Sequence, residues 1–151
     1  MSLGATPPFF GDLPMPEIFE FEHTVEPSEI DSLGHANNVA YVEWMQSAAL
    51  AHSAAQGWPQ QAHREFGFGW VVRSHSVQYH QPATVEDRIV VRTWVATMKK
   101  VTSIRRYRII RISDDELLAT AETKWAFVNY ETGRPARIPP EVAEAFVVVD
   151  R

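Results

Sequence analysis

The 151-residue chain contains no cysteine, which excludes disulfide bonds, thiolate zinc sites and a cysteine nucleophile. It also lacks any apolar run of about 18 residues, so no membrane insertion is expected. The N-terminus lacks a basic region followed by an apolar segment, so no secretion signal is expected. These absences predict a soluble, cytoplasmic protein.

Positive charge is also scarce, because 14 Lys and Arg face 19 Asp and Glu and give a net charge of −5. An acidic balance argues against nucleic acid as a partner. The apolar fraction of 45% with 22% charged residues is typical of one folded globular domain. Residues 1–16 hold four of the ten prolines and two of the seven glycines, so we expect a flexible N-terminal arm before a single domain at 17–151.

The hydrophobic pattern predicts an α+β fold. Residues 17–25 alternate as a half-buried strand does, and four further β-rich runs cover 68–80, 87–98, 101–112 and 116–130. Between the first two runs lies an Ala-rich helix over 39–56, preceded by Asn37 and Asn38 and followed by Gly57. Short connections between strands predict antiparallel neighbours. We therefore expect a five-stranded antiparallel sheet curled around one long helix, with a short helix after Pro139 and Pro140.

Two common catalytic sites are not indicated. There is no G-x-S-x-G elbow for a serine hydrolase and no H-E-x-x-H for a metal. His75 and His80 differ by an odd number and are expected on opposite faces of a strand. His52 and His63 are assigned to a helix flank and a loop, with no chemical role. Neither a metal nor a cofactor is predicted.

Polar groups are instead concentrated at the predicted start of the helix, between Glu29 and Trp44. A structural interpretation has Asp31 closing a turn, Asn37 or Asn38 capping the helix, and His35 bonding a loop carbonyl. A functional interpretation uses the same residues. The free N–H groups and positive dipole of a helix N-terminus can stabilise an oxyanion, while a neighbouring carboxylate attacks a carbonyl or deprotonates water.

The pattern D-x-x-G-H-x-N-N-x-x-Y-x-x-W at residues 31–44 resembles the signature of hotdog-fold acyl-CoA thioesterases of the 4-hydroxybenzoyl-CoA thioesterase type. Residues 79–87, with a Pro-Ala turn and a following Asp, are similar to a second landmark of that family. The resemblance implies a hotdog fold in which the sheet wraps the helix, and Asp31 as the catalytic carboxylate. It implies roles for His35 and Asn38 in orienting the loop or a water molecule, and for Gly34, Asn37 and Tyr41 in binding substrate.

The chain departs from many relatives in having Glu29 two residues before the catalytic position. His35, Asn37 and Asn38 also resemble plant acyl-carrier-protein thioesterases, although those have Asn where Leu33 stands. The acyl carrier is therefore expected to be CoA, with acyl carrier protein as an alternative.

A basic segment runs from Arg88 to Ser113 without any Asp or Glu. One interpretation is a solvated sheet face whose cations protect an edge. The other is an anion site in which Lys99 and Lys100, at a hairpin turn, bind the CoA phosphates, as similar residues do in the benzoyl-CoA thioesterases. Arg106 and Arg108 are expected on one face of the strand and Arg105 and Arg111 on the other, so not all of them can serve one ligand.

The expected function is hydrolysis of an acyl-CoA thioester to the free acid and CoA, with Asp31 as nucleophile or general base. A non-catalytic acyl-thioester binding module is the alternative from another class. Hydration of enoyl-CoA fits less well. Hotdog proteins with that activity generally have four residues between the Asp and the His, whereas three lie between Asp31 and His35. A curled sheet with apolar residues on both faces needs cover. Together with the resemblance, this predicts a homodimer or homotetramer with the active site near the subunit interface.

Overall fold

The computed structural model describes residues 17–151, and the predicted arm at 1–16 lies outside the described residues. Its elements follow the expected order. The strands are Phe19–Thr24 (β1), Phe68–Tyr79 (β2), Arg88–Met98 (β3), Thr102–Arg111 (β4) and Glu116–Asn129 (β5), and the helices are Asn38–Ala55 (α1), Gln60–Phe66 (α2) and Pro140–Ala143 (α3). None of the helices in residues 17–151 has the length and apolarity needed to cross a bilayer.

All five strands form one antiparallel sheet in the order β1-β3-β4-β5-β2. The predicted α+β fold is confirmed. One expectation was wrong, because the short connection between β2 and β3 does not make them neighbours: β2 pairs with β5 at an edge of the sheet. The sheet curls far enough around α1 for residues 80–87 to bridge its two sides.

The connection at 80–87 is held to both sides of the sheet and to the loop before α1. His80 N donates to Leu118 O at 2.8 Å, and Val25 N donates to Asp87 O at 2.9 Å. Between them, Ala36 N donates to Ala83 O at 2.8 Å. The connection at 80–87 therefore passes close to the loop that leads into the N-terminal end of α1.

The first half of α1 packs into the concave face of the sheet. Its buried residues are Ala40, Tyr41, Trp44, Met45 and Ala48, and they pack with Ile89 and Val91 of β3 and with Tyr107 and Ile109 of β4. The small side chain of Ala48 is fully buried, as close packing around an Ala-rich helix predicts. Ala54 and Ala55 in the last turn are exposed, so the packing is close on one side of the helix only.

Helix α2 was not predicted, since residues 60–66 were taken as part of a loop. Pro59 precedes it, and Gly67 ends it with a φ of 86°, a left-handed conformation that favours glycine. The expectation that His63 lies in a loop is also wrong, because His63 is in α2, where it is buried. The predicted short helix after Pro139 is confirmed as α3, which packs Val142 against Phe127.

Candidate active site

Asp31 closes the loop that leads into α1. Its Oδ1 accepts hydrogen bonds from Leu33 N at 2.9 Å and His35 N at 3.2 Å, and its backbone N–H donates to His35 O at 2.8 Å. Gly34 turns the chain with a φ of 83°. Asp31 is exposed, and its Oδ2 makes no hydrogen bond within residues 17–151. One carboxylate oxygen thus holds the loop while the other faces solvent.

Asn37, and not Asn38, caps α1. Its side-chain oxygen accepts a hydrogen bond from Ala40 N at 2.8 Å, and its amide nitrogen donates to Glu29 O at 3.0 Å. Asn38 is the first residue of the helix, and its side chain is exposed. The first N–H groups of α1 have no partner within the helix, so the positive end of the helix lies beside Asp31.

Glu29 fixes this loop to the sheet and to the helix, a role that sequence reasoning missed. Its carboxylate accepts from Glu26 N, lies 2.9 Å from His23 Nε2, and accepts from Trp44 Nε1 at 2.9 Å. Burial raises the pKa of Glu29, but these hydrogen bonds and the charge of His23 outweigh burial and lower the pKa overall. Glu29 therefore remains ionised and holds β1, the Asp31 loop and α1 together.

A pocket of about 290 Å³ lies at this end of α1. It is lined by Asp31, His35, Ala36, Asn38, Tyr41, Tyr79, His80, Gln81 and Pro82. Asp31, His35, Asn38 and Tyr41 are thus brought together as predicted, whereas Gly34 and Asn37 do not line the pocket. In the part of the chain that the structure describes, no three His, Asp or Glu side chains converge as a metal site requires.

Tyr41 forms the inner wall of the pocket. It is buried, its ring meets the Tyr79 ring edge-on at 5.0 Å, and its hydroxyl accepts a hydrogen bond from Ala83 N at 3.2 Å. Burial raises the pKa of the Tyr41 hydroxyl, so it is neutral at pH 7. Tyr41 therefore links α1 to the connection at 80–87.

The family is decided by the sequence around this site. Residues 25–146 match the profile of the Thioesterase-like superfamily. The chain belongs to this family. The match includes the Asp31 loop, all of α1 and all but the first strand, and it confirms the family predicted from the motif.

Similar proteins include acyl-CoA thioester hydrolase YbgC of Escherichia coli, 27% identical over 112 residues, which are 74% of this chain and 81% of YbgC. Chloroplastic acyl-acyl-carrier-protein hydrolase FATB3 of Cuphea viscosissima is 33% identical over 78 residues, 52% of this chain and 19% of that enzyme. The chain spans only about a fifth to a third of the plant enzymes it matches.

The crystal structure of Slr0204, a 1,4-dihydroxy-2-naphthoyl-CoA thioesterase from Synechocystis, matches this chain with a TM-score of 0.79 and 19% identity. The match covers 85% of this chain and 94% of that one. At this identity the likeness concerns the fold, and it confirms the hotdog architecture.

In this thioesterase-like chain, Lys99 and Lys100 lie far from the Asp31 pocket. They occupy the turn between β3 and β4, whereas the pocket lies at the opposite end of β3, beside the connection at 80–87. β3 has 11 residues and spans roughly 35 Å. The structure therefore does not bring the two lysines and Asp31 together within one chain.

A larger cavity, of about 330 Å³, lies near the end of the sheet that carries the lysines. It is bounded by the second half of α1, by α2, and by β2 to β5. No sequence motif indicated it, because its walls come from seven separate segments, the last of them contributing Phe146. It shares no residue with the Asp31 pocket.

Proposed function

We propose that this protein hydrolyses an acyl thioester to a free acid and a thiol, with Asp31 as the reactive carboxylate. The observation that carries the proposal is the position of Asp31 at the rim of a pocket walled by the N-terminus of α1. Asp31 Oδ1 is held by two backbone N–H groups, while Oδ2 is unbonded within residues 17–151. A fixed carboxylate with one free oxygen suits attack on a carbonyl or on water.

The thioester carbonyl would lie with its oxygen at the first N–H groups of α1, which stabilise the negative charge that develops there. As general base, Asp31 takes a proton from water, hydroxide adds to the carbonyl carbon, and the C–S bond breaks to release thiolate. As nucleophile, Asp31 Oδ2 adds to the carbonyl carbon, the C–S bond breaks to release thiolate and leave a mixed anhydride, and water then hydrolyses that anhydride to the free acid and the Asp31 carboxylate. His35 and Asn38, on the pocket wall, orient the water or the loop.

The thiol carrier is proposed to be CoA, with acyl carrier protein as the alternative. YbgC is named an acyl-CoA thioester hydrolase, and the FATB3 relative is named an acyl-carrier-protein hydrolase. Lys99 and Lys100 support CoA, because both are exposed at a turn and suit phosphate groups.

We propose that the working unit is at least a homodimer. β2 is an edge strand of 12 residues without proline or lysine, interrupted by a bulge between Val72 and Ser74. Natural edges of this length are usually protected or paired. The other edge, β1, has six residues and carries Glu20 and Glu22.

Antiparallel pairing of two β2 edges would set the end of one strand beside the start of the other. The Asp31 pocket adjoins Tyr79 at the end of β2, and the larger cavity adjoins Trp70 near its start. Such a dimer would therefore bring Asp31 near the cavity and the two lysines of a second copy. In this arrangement Lys99 and Lys100 serve a site completed across the interface.

A non-catalytic acyl-thioester binding module is the second candidate. It is favoured by the hydrogen bonds of Asp31 Oδ1, which are those of an aspartate that only closes a turn. Such a protein would bind the thioester and release no thiol.

Asp31→Asn separates the two functions. Asn keeps an oxygen for Leu33 N and His35 N, so the loop should fold, but the charge is removed. If Asp31 reacts, kcat for the best acyl-CoA or acyl-carrier-protein substrate falls by about 10²–10⁴. If Asp31 only closes the turn, activity stays within a few-fold.

Asp115→Asn is the matched control, because Asp115 is an exposed aspartate in a turn and does not line the pocket. It should leave kcat unchanged. Free thiol is measured, and circular dichroism checks the fold. Equal rates for wild type and Asp31→Asn would refute the catalytic assignment, and tight binding without thiol release would favour the module.

A further inference from the structure

The larger cavity is an apolar chamber with an aromatic wall. Its volume is about 330 Å³, at the lower end of the range for small-molecule sites. Its aromatic residues are Trp58, Trp70, Trp125, Tyr130 and Phe146. The second half of α1 and α2 line it, whereas the Asp31 pocket lies at the other end of α1.

One charged side chain, Arg105 of β4, lines this chamber. Arg105 is only 5% exposed. Its Nη1 donates to His52 Nδ1 at 3.0 Å and to Thr93 Oγ1 at 3.1 Å, and the Phe146 ring lies 5.9 Å from its guanidinium carbon. Neither hydrogen-bond partner carries a negative charge.

Within residues 17–151, Arg105 forms no salt bridge. Burial lowers its pKa to about 10, so the guanidinium is still charged at pH 7. His52 does not add a second charge, because burial and then the charge of Arg105 lower the His52 pKa to about 3. The chamber therefore holds a single positive charge that the described chain does not compensate, an arrangement that is costly unless something pairs with it.

One further polar atom among the lining residues lacks a partner. His63 Nε2 is buried and makes no hydrogen bond within the described residues. His63 Nδ1 lies 3.1 Å from Phe68 O and must donate to it, which leaves Nε2 as an acceptor. Buried polar groups are nearly always paired, so this atom and the uncompensated charge of Arg105 indicate that a polar partner is missing beside the cavity.

We propose that this cavity binds an apolar carboxylate, whose anionic end pairs with the Arg105 guanidinium and whose hydrocarbon body lies against the tryptophan rings. A planar guanidinium matches the two oxygens of a carboxylate, and one cation suits one negative charge. The ligand is a free organic acid or the distal carboxylate of an acyl group. Both have the same chemistry at Arg105.

Binding is tested without turnover. Octanoate and its uncharged counterpart octanamide are titrated into the purified protein by calorimetry, and the fluorescence of the cavity tryptophans is followed in parallel. Pairing with a buried charge predicts that octanoate binds about tenfold or more tightly than octanamide. Equal affinities would overturn the proposal.

Arg105→Met should abolish the preference for octanoate. Arg108→Met is the matched control, since Arg108 lies on the same strand, is exposed and does not line the cavity; it should bind octanoate as wild type does. Arg105→Lys keeps the charge without the planar fork and should retain part of the preference, so it carries the test if Arg105→Met does not fold. Octanoate binding that is unchanged in Arg105→Met would overturn the proposal.

The two sources are distinguished with thioesters, an arm that rests on the proposed hydrolase function. Octanedioyl-CoA has a carboxylate at the far end of the acyl chain, and octanoyl-CoA does not. A higher kcat/KM for octanedioyl-CoA that is lost in Arg105→Met assigns the cavity to the acyl group of the substrate. Octanoate binding without that preference assigns it to a free acid. If no thioester is cleaved, octanoate binding still decides the cavity's role.

Discussion

Mild acid is expected to destabilise the folded protein through His52. This side chain is buried in α1, where its ring stacks on Phe19 at 5.0 Å and meets the Phe146 ring at 5.2 Å. Its Nδ1 accepts a hydrogen bond from Arg105 at 3.0 Å. Burial, and secondly the charge of Arg105, lower its pKa from 6.5 to about 3. The folded protein therefore does not bind the proton that the unfolded chain binds below pH 6.5.

The size of the effect follows from this difference in pKa. Below pH 6.5 the unfolded state holds more protons, so the free energy of unfolding decreases as the pH falls. The loss is about 1.4 kcal/mol for each pH unit, or about 2 kcal/mol at pH 5. It would approach about 5 kcal/mol near pH 3, where His52 itself becomes protonated in the folded state.

Urea unfolding at pH 7, 6 and 5 measures the slope of the unfolding free energy against pH. These values lie above the range in which most carboxylates titrate. His52→Gln provides a neutral acceptor for Arg105 and should flatten the slope. Burial also lowers the pKa of His63 and His75, so a smaller slope of the same sign will remain. His80→Gln is the control, because His80 is exposed and should leave the slope unchanged. An equal slope in wild type and His52→Gln would refute the reasoning.

Three other predictions concern binding, the loop and assembly. Replacing Lys99 and Lys100 by Ala should raise KM for CoA esters and leave kcat nearly unchanged, because remote contacts are equal in ground and transition states; an unchanged KM at low ionic strength contradicts this. Glu29→Gln should cost about 1–3 kcal/mol of unfolding free energy at pH 7. That cost should shrink as the pH falls below 4.5 through the lowered pKa of Glu29, and a pH-independent cost would count against an ionised Glu29. Light scattering should give at least twice the 17.2 kDa chain mass at micromolar concentration, and a monomer would exclude the proposed interface.

Local patterns were sufficient to predict the five strands, α1 and α3, although not α2. Strict alternation in residues 17–25 predicted β1, and the Asn residues and Gly57 bounded α1 to within two residues. Alternation along β4 predicted that Arg105 and Arg106 point to opposite faces of the sheet. Arg105 is buried, and Arg106 pairs with Glu122 on the other face. Periodicity is local information, and these features depend only on neighbours along the chain.

The pairing of β2 with β5 could not be predicted, because it depends on how far the sheet curls around α1. The contacts of Glu29 were missed for a similar reason, since its partner Trp44 lies 15 positions away on the helix. The cavity around Arg105 depends on seven segments at once. Sequence spacing predicts which face a side chain occupies, but not whether a carboxylate from another element will meet it.

The positions of the two pockets make the proposed role of Lys99 and Lys100 depend on assembly. Asp31 lies at one end of the sheet, and the lysines lie about 35 Å away at the other, near the cavity, so one chain cannot present all of them to one substrate. A two-fold pairing of β2 edges reverses one copy relative to the other and removes this separation. On this argument a monomeric variant that keeps its fold should still bind octanoate at Arg105 but lose the effect of Lys99 and Lys100 on KM, because only the second property is shared between two copies.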